Sequence, residues 1–302
     1  MRLCITGGLG FIGSYTVREL IKRGYEVIIV DNRLSKIPEG AEFVNADLTN
    51  YEQALQAISR AEADILFHLA GTVLNVARKN PHLAIRLDVL CTANILEACV
   101  KNNVEKVIYA SSFYVYDGLH PSIKVNEKDH SDIFRAEMFG VVKLIGERLI
   151  YEYSERYDLN YVILRYGPVY GPHERCSCLI CEFIKEGLKG NPIIVWGKGE
   201  RKNQYTYVED IALGNVKAIK AKNEVYNLIS PERYTIKEIA EMLKIKYGFK
   251  VKYDLLKKEG PSLPYISPEK AIKKLNWNPT SLEYGIEKTF QGFRSKTAKF
   301  KV

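Results

Sequence analysis

The sequence predicts an α/β fold: a doubly wound parallel sheet with a smaller α/β C-terminal lobe. In the first half of the chain, short apolar runs rich in β-branched residues alternate with amphipathic helical runs. That alternation is typical of a parallel sheet buried on both faces. A glycine-rich segment joins the first apolar run directly to the first helical run. The 302 residues are 46% hydrophobic and 26% charged, which excludes a disordered tail, a collagen-like fibre and a disulfide miniprotein.

The elements of the first half follow from their periodicity. The predicted strands are short and bounded by Gly, Asp or Asn, and the helical runs place apolar residues near one face. Proline opens the third helical run, as is common at the first position of a helix. The predicted strands are Leu3–Thr6, Glu26–Val30, Ile65–Leu69, Lys106–Ser111 and Tyr161–Tyr166, and the predicted helices are Phe11–Arg23, Tyr51–Ile58, Pro81–Asn102 and Arg135–Tyr157.

The pattern changes after Arg165, where Gly-Pro and Asn-Pro pairs indicate loops and short strands. We therefore expect residues 1–165 to form a nucleotide-binding Rossmann domain, with a return segment near 203–226. Residues 166–202 and 227–302 form the smaller lobe, and a cleft separates the two. The predicted elements of this half are a strand at Tyr205–Val208 and helices at Asp210–Ala221, Thr235–Tyr247, Ser267–Leu275 and Ser281–Phe290.

The glycine-rich segment predicts a dinucleotide site. Gly7, Gly10 and Gly13 follow a strand and open a helix, so they permit a tight turn and let backbone amides approach a pyrophosphate. The next predicted strand ends at Asp31, where a carboxylate can accept the ribose hydroxyls of NAD and repels the extra phosphate of NADP. The neighbouring Arg33 weakens that preference because it can pair with a phosphate. We predict NAD as the cofactor.

The net charge of +8 is confined to the end of the chain. Residues 241–302 contain 14 Lys and Arg against 6 Asp and Glu, and the remaining residues are balanced. A nucleic-acid-binding surface is one interpretation. We favour a solvated lysine-rich surface with a modest attraction for an anionic small molecule, because these lysines, among them Lys257, Lys274, Lys296, Lys299 and Lys301, do not fall on the motifs described below. We expect no nucleic-acid partner.

Two kinds of segment that the sequence lacks bear on the compartment in which the protein is expected to lie. The first residues do not form the basic, apolar and small-residue sequence of a signal peptide, and no stretch reaches about 18 uninterrupted apolar residues. We expect a cytoplasmic protein that does not bind a membrane. Cys4, Cys91 and Cys99 fall within apolar patterns and are predicted to be core residues of a reducing compartment.

A second cysteine group, Cys176, Cys178 and Cys181, lies close after His173. Four soft ligands in nine residues suggest zinc or an iron–sulfur cluster. The spacing matches no established metal motif, and the segment runs into an apolar helix. We therefore predict structural cysteines at a helix start and no metal site.

With these residues in hand, the chain resembles the NAD-dependent epimerase/dehydratase family of extended short-chain dehydrogenase/reductases, which includes UDP-glucose 4-epimerase. The resemblance runs almost end to end. It is carried by Thr6–Gly13, Asp31-Asn32, Asp47-Leu48, His68–Gly71, Ala110–Ser112 with Val115-Tyr116, Gly140 with Lys143 and Glu147, Leu164–Tyr166, Val169–Pro172, Tyr207–Asp210, Tyr226–Leu228 and Asn278–Glu283.

The resemblance implies roles for individual residues. Ser112 would hydrogen-bond the sugar hydroxyl that is oxidised, Lys143 would hold the nicotinamide ribose, and the C-terminal lobe would bind a nucleotide-linked sugar, most simply a UDP-sugar. Asp47 and Leu48 would flank the adenine, and Tyr166 would lie near the nicotinamide. The full set of predicted cofactor-binding residues is Gly7, Gly10, Phe11, Ile12, Gly13, Asp31, Asn32, Asp47, Leu48, Leu69, Ala70, Gly71, Lys143 and Tyr166.

One departure from the family affects its chemistry. The family's general base is a tyrosine four residues before the lysine, and that position is Phe139 here. A phenyl ring carries no ionisable proton, so Phe139 cannot perform acid–base catalysis. Either another group serves, with Tyr114 as the candidate catalytic residue, or the reaction needs no phenol, or the protein binds its ligands without catalysis. For Tyr114 the simpler alternative is an aromatic wall of the pocket.

The predicted function is that of an NAD-dependent nucleotide-sugar epimerase acting through a 4-keto sugar. The alternative is a catalytically silent or atypical relative that binds NAD and a nucleotide sugar without the usual tyrosine. Pro168 and Asn203 stand where the family often has asparagine and arginine, and Arg201 or Lys202 could compensate for the latter. The resemblance also implies a homodimer through the helices predicted at 81–102 and 135–157.

Overall fold

The computed structural model describes residues 1–260 and 262–299, with fifteen β-strands, eleven α-helices, one π-helical segment and one 3₁₀ turn. The strands are β1 Arg2–Thr6, β2 Glu26–Asp31, β3 Ala41–Asn45, β4 Ile65–His68, β5 Lys106–Ser112, β6 Lys124–Val125, β7 Asn160–Tyr166, β8 Val169–Tyr170, β9 Ile193–Trp196, β10 Lys202–Asn203, β11 Thr206–Tyr207, β12 Glu224–Leu228, β13 Tyr234–Thr235, β14 Val251–Asp254 and β15 Tyr265–Ile266. The helices are α1 Phe11–Lys22, α2 Tyr51–Ala61, α3 Leu74–Lys79, α4 Pro81–Ala84, α5 Cys91–Lys101, α6 Met138–Tyr157, α7 Leu179–Leu188, α8 Val208–Ala218, α9 Ile236–Tyr247, α10 Glu269–Lys274 and α11 Leu282–Lys299.

Seven strands form the central sheet, in the order β12-β7-β5-β4-β1-β2-β3. All of its neighbouring pairs are parallel. The order reverses direction after β1, as in doubly wound sheets, whose ligands bind at the carboxyl ends of the strands near that reversal. The predicted fold class is confirmed.

Two strands of this sheet were not predicted as strands: β3 at its edge, and β12, which was expected only as part of a return segment. Ala41–Asn45 pairs with β2 at the sheet edge, so its residues are half-buried or exposed and include Glu42 and Asn45. An edge strand of this kind lacks the continuous apolar run that identified the buried strands.

Helices cover both faces of the sheet. On one face α1 and α8 pack on a core that includes Val17, Leu20 and Ile211. On the other face α2 and α5 pack on a core that includes Ile58 and Leu96. The β-branched side chains of the central strands therefore contact apolar helix faces on both sides, which explains why those strands read as unbroken apolar runs.

Several helix boundaries differ from the sequence predictions; α8, for example, runs over Val208–Ala218 instead of Asp210–Ala221. The helix predicted over Pro81–Asn102 is divided into α4, a π-helical segment at Ile85–Leu90, and α5. The helix predicted from Arg135 begins at Met138, and the helix predicted to end at Phe290 continues to Lys299. The π segment was not predicted because it is about one turn long and lies inside a run that is otherwise α-helical.

The C-terminal part has a core of its own. Helices α7, α9 and α11 contribute Ile184, Leu243 and Ile286 to it. A capping box closes the start of α9, where the Thr235 side chain accepts from the Glu238 amide and the Glu238 carboxylate accepts from the Thr235 amide. The chain returns to the central sheet at β12, which overlaps the end of the return segment predicted near 203–226.

The cysteines separate into the two predicted groups. Cys4, Cys91 and Cys99 are free and buried, as expected for core residues. Cys176 and Cys181 form a disulfide before and within the start of α7, a bond that the sequence did not indicate. Among residues 1–260 and 262–299, no group of three or more His, Cys, Asp or Glu side chains could hold a metal ion.

Many basic residues near the C-terminus lie on the surface in ion pairs. Lys246 pairs with Glu287 at 2.7 Å, and Lys274 pairs with Glu224 at 2.6 Å, all partly exposed. Such pairs are typical of a solvated face. The prediction for Lys301 lies outside the described residues. Within the described ranges, none of the helices is both long enough and apolar enough to span a bilayer.

Candidate functional site

The glycine-rich loop between β1 and α1 is held by its own backbone. Gly7 has a φ of +68°, and its amide donates to the Val30 carbonyl at 2.9 Å. A Cβ at Gly13 would lie 2.2 Å from the Gly7 oxygen. Positive φ and this close approach both require glycine. The predicted turn is therefore formed, and the first turn of α1 packs directly against it.

This loop fits a dinucleotide pyrophosphate. The N-cap of α1 is Gly10, which has no side chain with which to cap the first-turn amides of Phe11, Ile12 and Gly13. The α1 helix is twelve residues long, so its N-terminus carries the positive end of a substantial helix dipole. Backbone amides and a dipole at an uncapped helix start are the donor set that phosphate groups take.

Asp31 lies at the carboxyl end of β2, beside the loop. Its side chain is buried, its Oδ2 accepts from the Leu9 amide at 3.3 Å, and its Oδ1 accepts from the Arg33 amide at 3.2 Å. The Arg33 Nε lies 3.4 Å from the same Oδ1. The carboxylate is thus oriented toward the glycine loop, where a ribose would meet it, and Asn32 next to it is exposed.

Two further predicted cofactor segments lie at neighbouring strand ends. After β4, the Ala70 amide donates to the Thr6 hydroxyl at 3.3 Å, which ties Leu69–Gly71 to the end of β1. After β3, the Asp47 carboxylate accepts from the amide and hydroxyl of Thr49, and Leu48 is buried with its carbonyl bonded to Asn94. These contacts fix both segments along the same edge of the sheet as the glycine loop.

Ser112 ends β5 and begins a 3₁₀ turn at Phe113–Tyr116. Its hydroxyl oxygen accepts from the Tyr114 amide at 3.2 Å, which fixes the side chain as the cap of that turn. Tyr166 stands opposite Ser112 in the sheet register. The Tyr166 hydroxyl donates to Asn215 of α8 at 2.6 Å and burial raises its pKa, so this phenol belongs to the core contact between sheet and helix.

Lys143 projects from α6 into a buried position. Its ammonium donates to the Ala110 carbonyl at 3.1 Å and lies 2.9 Å from the Asp88 carboxylate. Burial by itself lowers the pKa of Lys143, but the Asp88 carboxylate outweighs it and raises that pKa above its ordinary value. Lys143 is therefore a fixed cation beside the end of β5.

Asp88 is a residue of this site that the sequence analysis missed. It lies in the π-helical segment at Ile85–Leu90 and is almost fully buried. A signal was present, since Asp88 falls at helical spacing with Thr92 and Ile95 on a face that is otherwise apolar. π-Helical insertions are rare in proteins, but those that occur often lie at functional sites.

Phe139 and Tyr114 pack together next to Lys143. The Phe139 ring centroid lies 5.8 Å from the Lys143 ammonium and 5.6 Å from the Tyr114 ring, which meets it edge-on. A Cβ at Gly140 would lie 2.4 Å from the Tyr114 carbonyl, so α6 approaches the 3₁₀ turn as closely as a backbone can. Burial raises the pKa of the Tyr114 phenol to about 12, so this phenol is protonated at neutral pH.

A loop from the C-terminal part contacts the glycine loop. The His173 ring stacks on Phe11 with centroids 5.3 Å apart, and the Arg175 guanidinium donates to the Leu9 carbonyl at 3.1 Å. The Cys176–Cys181 disulfide anchors this loop to α7. These contacts could not be predicted from local patterns, because the partners are more than 160 residues apart in the chain.

A narrow cleft of about 10 Å³ lies beside the 3₁₀ turn that follows Ser112. Its lining combines Phe113 of the 3₁₀ turn with residues of the lobe, including Pro168, Lys202, Asn203 and Arg233. A larger depression of about 370 Å³ lies on the lobe, and it is lined by residues such as Lys198, Thr235 and Tyr253 rather than by the predicted site residues. At about 10 Å³ the narrow cleft holds about one water, so a nucleotide sugar fits only if the lobe and the 3₁₀ turn move apart. Its place next to the turn that follows Ser112 makes it the candidate substrate site.

Comparison with known proteins identifies the family. The model of the NAD dependent epimerase/dehydratase family matches residues 3–228. The chain belongs to this family.

Relatives within this epimerase/dehydratase family align over nearly the whole chain. A putative UDP-glucose 4-epimerase of Methanocaldococcus jannaschii is 32% identical over 298 residues, which are 95% of this chain and 96% of that protein. The UDP-glucose 4-epimerase of Thermotoga maritima, solved with UDP-glucose, superimposes with a TM-score of 0.91 at 28% identity, covering 98% of this chain and 100% of that one.

A third relative carries a change of interest. It is a tyrosine-to-phenylalanine mutant of the UDP-glucuronic acid 4-epimerase of Bacillus cereus, solved with UDP-4-deoxy-4-fluoro-glucuronic acid and NAD. It superimposes with a TM-score of 0.85 at 27% identity, covering 98% of this chain and 100% of that one. The predicted resemblance to the epimerase/dehydratase family, and NAD as that family's cofactor, are confirmed.

Proposed function

We propose that the chain binds NAD and a UDP-linked sugar and interconverts the sugar's C4 epimers through a 4-keto intermediate. The observation that carries the proposal is the convergence of the glycine loop, Asp31, Ser112 and Lys143 on one edge of the parallel sheet. The relatives that bear epimerase names and contain UDP-sugars support it. In this proposal residues 1–165 with 203–226 hold the cofactor, and residues 166–202 with 227–302 hold the nucleotide sugar.

The residues of the chain have distinct tasks in this reaction. NAD, when bound, would supply the hydride acceptor and donor for the sugar carbon, and the chain's own residues would hold it and the sugar. The uncapped amides at the start of α1 hold the pyrophosphate, and the Asp31 carboxylate accepts from the ribose hydroxyls. The Ser112 hydroxyl hydrogen-bonds the sugar hydroxyl, and the Lys143 ammonium holds the nicotinamide ribose.

The proton of the sugar hydroxyl needs an acceptor, and Phe139 offers none. Tyr114 is the phenol packed against Phe139, so it is the residue that we assign to this proton. With a pKa raised to about 12, the Tyr114 phenol is protonated at neutral pH and must lose that proton before it can accept one from the sugar hydroxyl. Because a well-positioned general base contributes about 10²–10⁴-fold in rate, we expect a slow epimerase whose rate rises with pH.

A second candidate is a relative that binds both ligands without turnover. The observation in its favour is the tight pairing of Lys143 with Asp88, which occupies the ammonium beside a ring that cannot ionise. The phenylalanine mutant of the Bacillus cereus epimerase contains both NAD and a nucleotide-sugar analogue, so a member of the family with that kind of change still binds both.

The cleft supports a diphosphate-bearing substrate. Lys202 and Arg233 line it, and Arg201 directly precedes Lys202 in the chain. These cations are the complement of a nucleotide diphosphate. We propose that they take the place of the arginine that the family often has at position 203.

A homodimer is part of the same proposal. Ile85 and Leu90 on the π-helical segment, and Ile145 on α6, are exposed apolar side chains. They lie on the helices that the family resemblance assigns to a dimer contact. Analytical ultracentrifugation of the parent and of Ile145→Glu tests this: we expect a dimer that the glutamate converts to a monomer.

The test of the reaction uses purified protein with UDP-glucose, UDP-galactose, their N-acetyl forms and UDP-glucuronate, followed by anion-exchange chromatography. We expect slow interconversion of at least one pair. Tyr114→Phe should abolish it without weakening NAD binding, whereas Tyr151→Phe, a half-buried tyrosine of α6 away from the cleft, should leave it unchanged.

The outcomes separate the two candidates. If no sugar nucleotide is converted while NAD and a UDP-sugar raise the melting temperature, the silent candidate stands and the epimerase does not. If neither ligand raises it, both are wrong.

A further inference from the structure

The Lys143–Asp88 ion pair is one of the most buried charge pairs in the described structure. The Lys143 and Asp88 side chains are 8% and 0% exposed to solvent, and the Lys143 Nζ lies 2.9 Å from the Asp88 Oδ1. The Asp88 carboxylate also accepts from the Thr72 amide at 3.2 Å and from the Thr72 hydroxyl. Buried ions keep their charge only when a close partner and further hydrogen bonds replace water, and both conditions are met here.

The other titratable groups around Lys143 provide no negative charge at neutral pH. Tyr109 of β5 lies 5.5 Å from the ammonium, and burial raises the pKa of its phenol to about 12. Burial likewise raises the pKa of the Cys91 thiol to about 12 and lowers that of His68 to about 3, so both are neutral.

Glu147, one helical turn beyond Lys143, is engaged elsewhere. Its carboxylate forms a buried pair with the Arg165 guanidinium at 2.7 Å. The negative charge that compensates Lys143 therefore comes from Asp88.

The pair borders the predicted cofactor segment. A Cβ at Gly71 would lie 2.6 Å from the Asp88 Oδ1 and 3.2 Å from the Lys143 Nζ. Glycine at this position lets the backbone of that segment cover the pair directly. The charge of Asp88 thus acts where the cofactor is expected to lie.

We propose that Asp88 is a positioning residue. Its carboxylate supplies the negative charge beside Lys143 that the family's tyrosine supplies as a phenolate. With Phe139 in the site, Asp88 holds the Lys143 ammonium in place and balances its charge, so the site stays neutral overall while its usual proton acceptor is absent. The functional reading rests on the proposed NAD site, but the charge balance itself can be measured without cofactor or substrate.

The test restores a phenol and follows its titration. Phe139→Tyr adds a hydroxyl to a ring whose centroid is 5.8 Å from the Lys143 Nζ. The ¹³Cζ NMR signal that appears in this variant and is absent from the parent reports the new phenol alone. At an effective dielectric constant of about 20, a unit charge about 6–9 Å from the phenol shifts the midpoint of its titration by about one to two pH units.

If Asp88 balances Lys143, the restored phenol titrates near its ordinary range in Phe139→Tyr. Adding Asp88→Asn should move the midpoint down by about one pH unit or more, because the lysine is then uncompensated. Adding Lys143→Met instead should move it up. Asp210→Asn, a buried carboxylate on α8 that accepts from Thr280, is the matched control and should leave the midpoint unchanged.

An unchanged midpoint in Phe139→Tyr with Asp88→Asn overturns the proposal. Should that variant fail to fold, ¹⁵Nζ lysine spectra of the parent decide instead: the signal lost in Lys143→Met must remain that of an ammonium above pH 10.5, and a lower midpoint contradicts the pairing. Epimerase activity is measured separately, and its absence alone refutes the proposed function while leaving the charge assignment standing.

Discussion

Gly13→Ala tests whether the glycine loop is built by backbone contact. The added Cβ would lie 2.2 Å from the Gly7 oxygen and 2.8 Å from the Gly8 Cα, both backbone atoms. Ordinary contacts to a carbon are about 3.5 Å, so loop and helix must separate by about 1 Å. Overpacking of this kind costs about 3 kcal/mol, and the better helix propensity of alanine offsets about 1 kcal/mol.

The net loss of about 2 kcal/mol should lower the melting temperature by about 3 °C in a chain of 302 residues. The displaced loop also moves the amides at the start of α1, so NAD affinity, measured by isothermal titration calorimetry, should fall at least about tenfold. Ser14→Ala is the matched control. It removes a hydroxyl that donates to the Phe11 carbonyl of the same helix at 3.0 Å and should leave both readouts close to the parent. A Gly13→Ala protein that melts and binds NAD like the parent would refute the reasoning.

Three other expectations concern stability. Glu147→Gln should destabilise the fold by about 3–5 kcal/mol in urea unfolding, because it leaves the buried Arg165 guanidinium unpaired; a loss near zero would contradict the pair. Thiol labelling of the unfolded chain should count four free cysteines before reduction and six after, and reducing the Cys176–Cys181 bond should lower stability by about 2 kcal/mol. His68, whose folded pKa burial lowers to about 3, binds a proton more readily when unfolded, so stability should fall as the pH drops from about 6.5 towards 3; a His68 NMR signal that titrates near 6.5 in the folded protein would be the contrary result.

The sequence by itself determined those parts of the molecule that depend only on residues close together in the chain. The spacing of Gly7, Gly10 and Gly13 after an apolar run required a strand, a turn with a positive φ and a helix start, and the structure has all three. The arrival of Asp31 at the end of the next strand followed from the same local pattern. The sheet's central strands were predictable because burial on both faces makes them unbroken apolar runs.

The tertiary structure decided which side chains meet. Asp88 and Lys143 are 55 residues apart, and only the division of the predicted helix at Ile85–Leu90 and the packing of α6 bring them to 2.9 Å. The Tyr166 phenol, expected from the resemblance to lie near the nicotinamide, is bonded to Asn215 of α8, so its contact with the cofactor stays a prediction. Periodicity fixes the face on which a residue lies, but a hydrogen bond or an ion pair depends on distances between elements that only the packed chain sets. For this reason the sequence predicted a cofactor site and a position, Phe139, without the family's phenol, whereas the Asp88 carboxylate beside Lys143 was visible only in the fold.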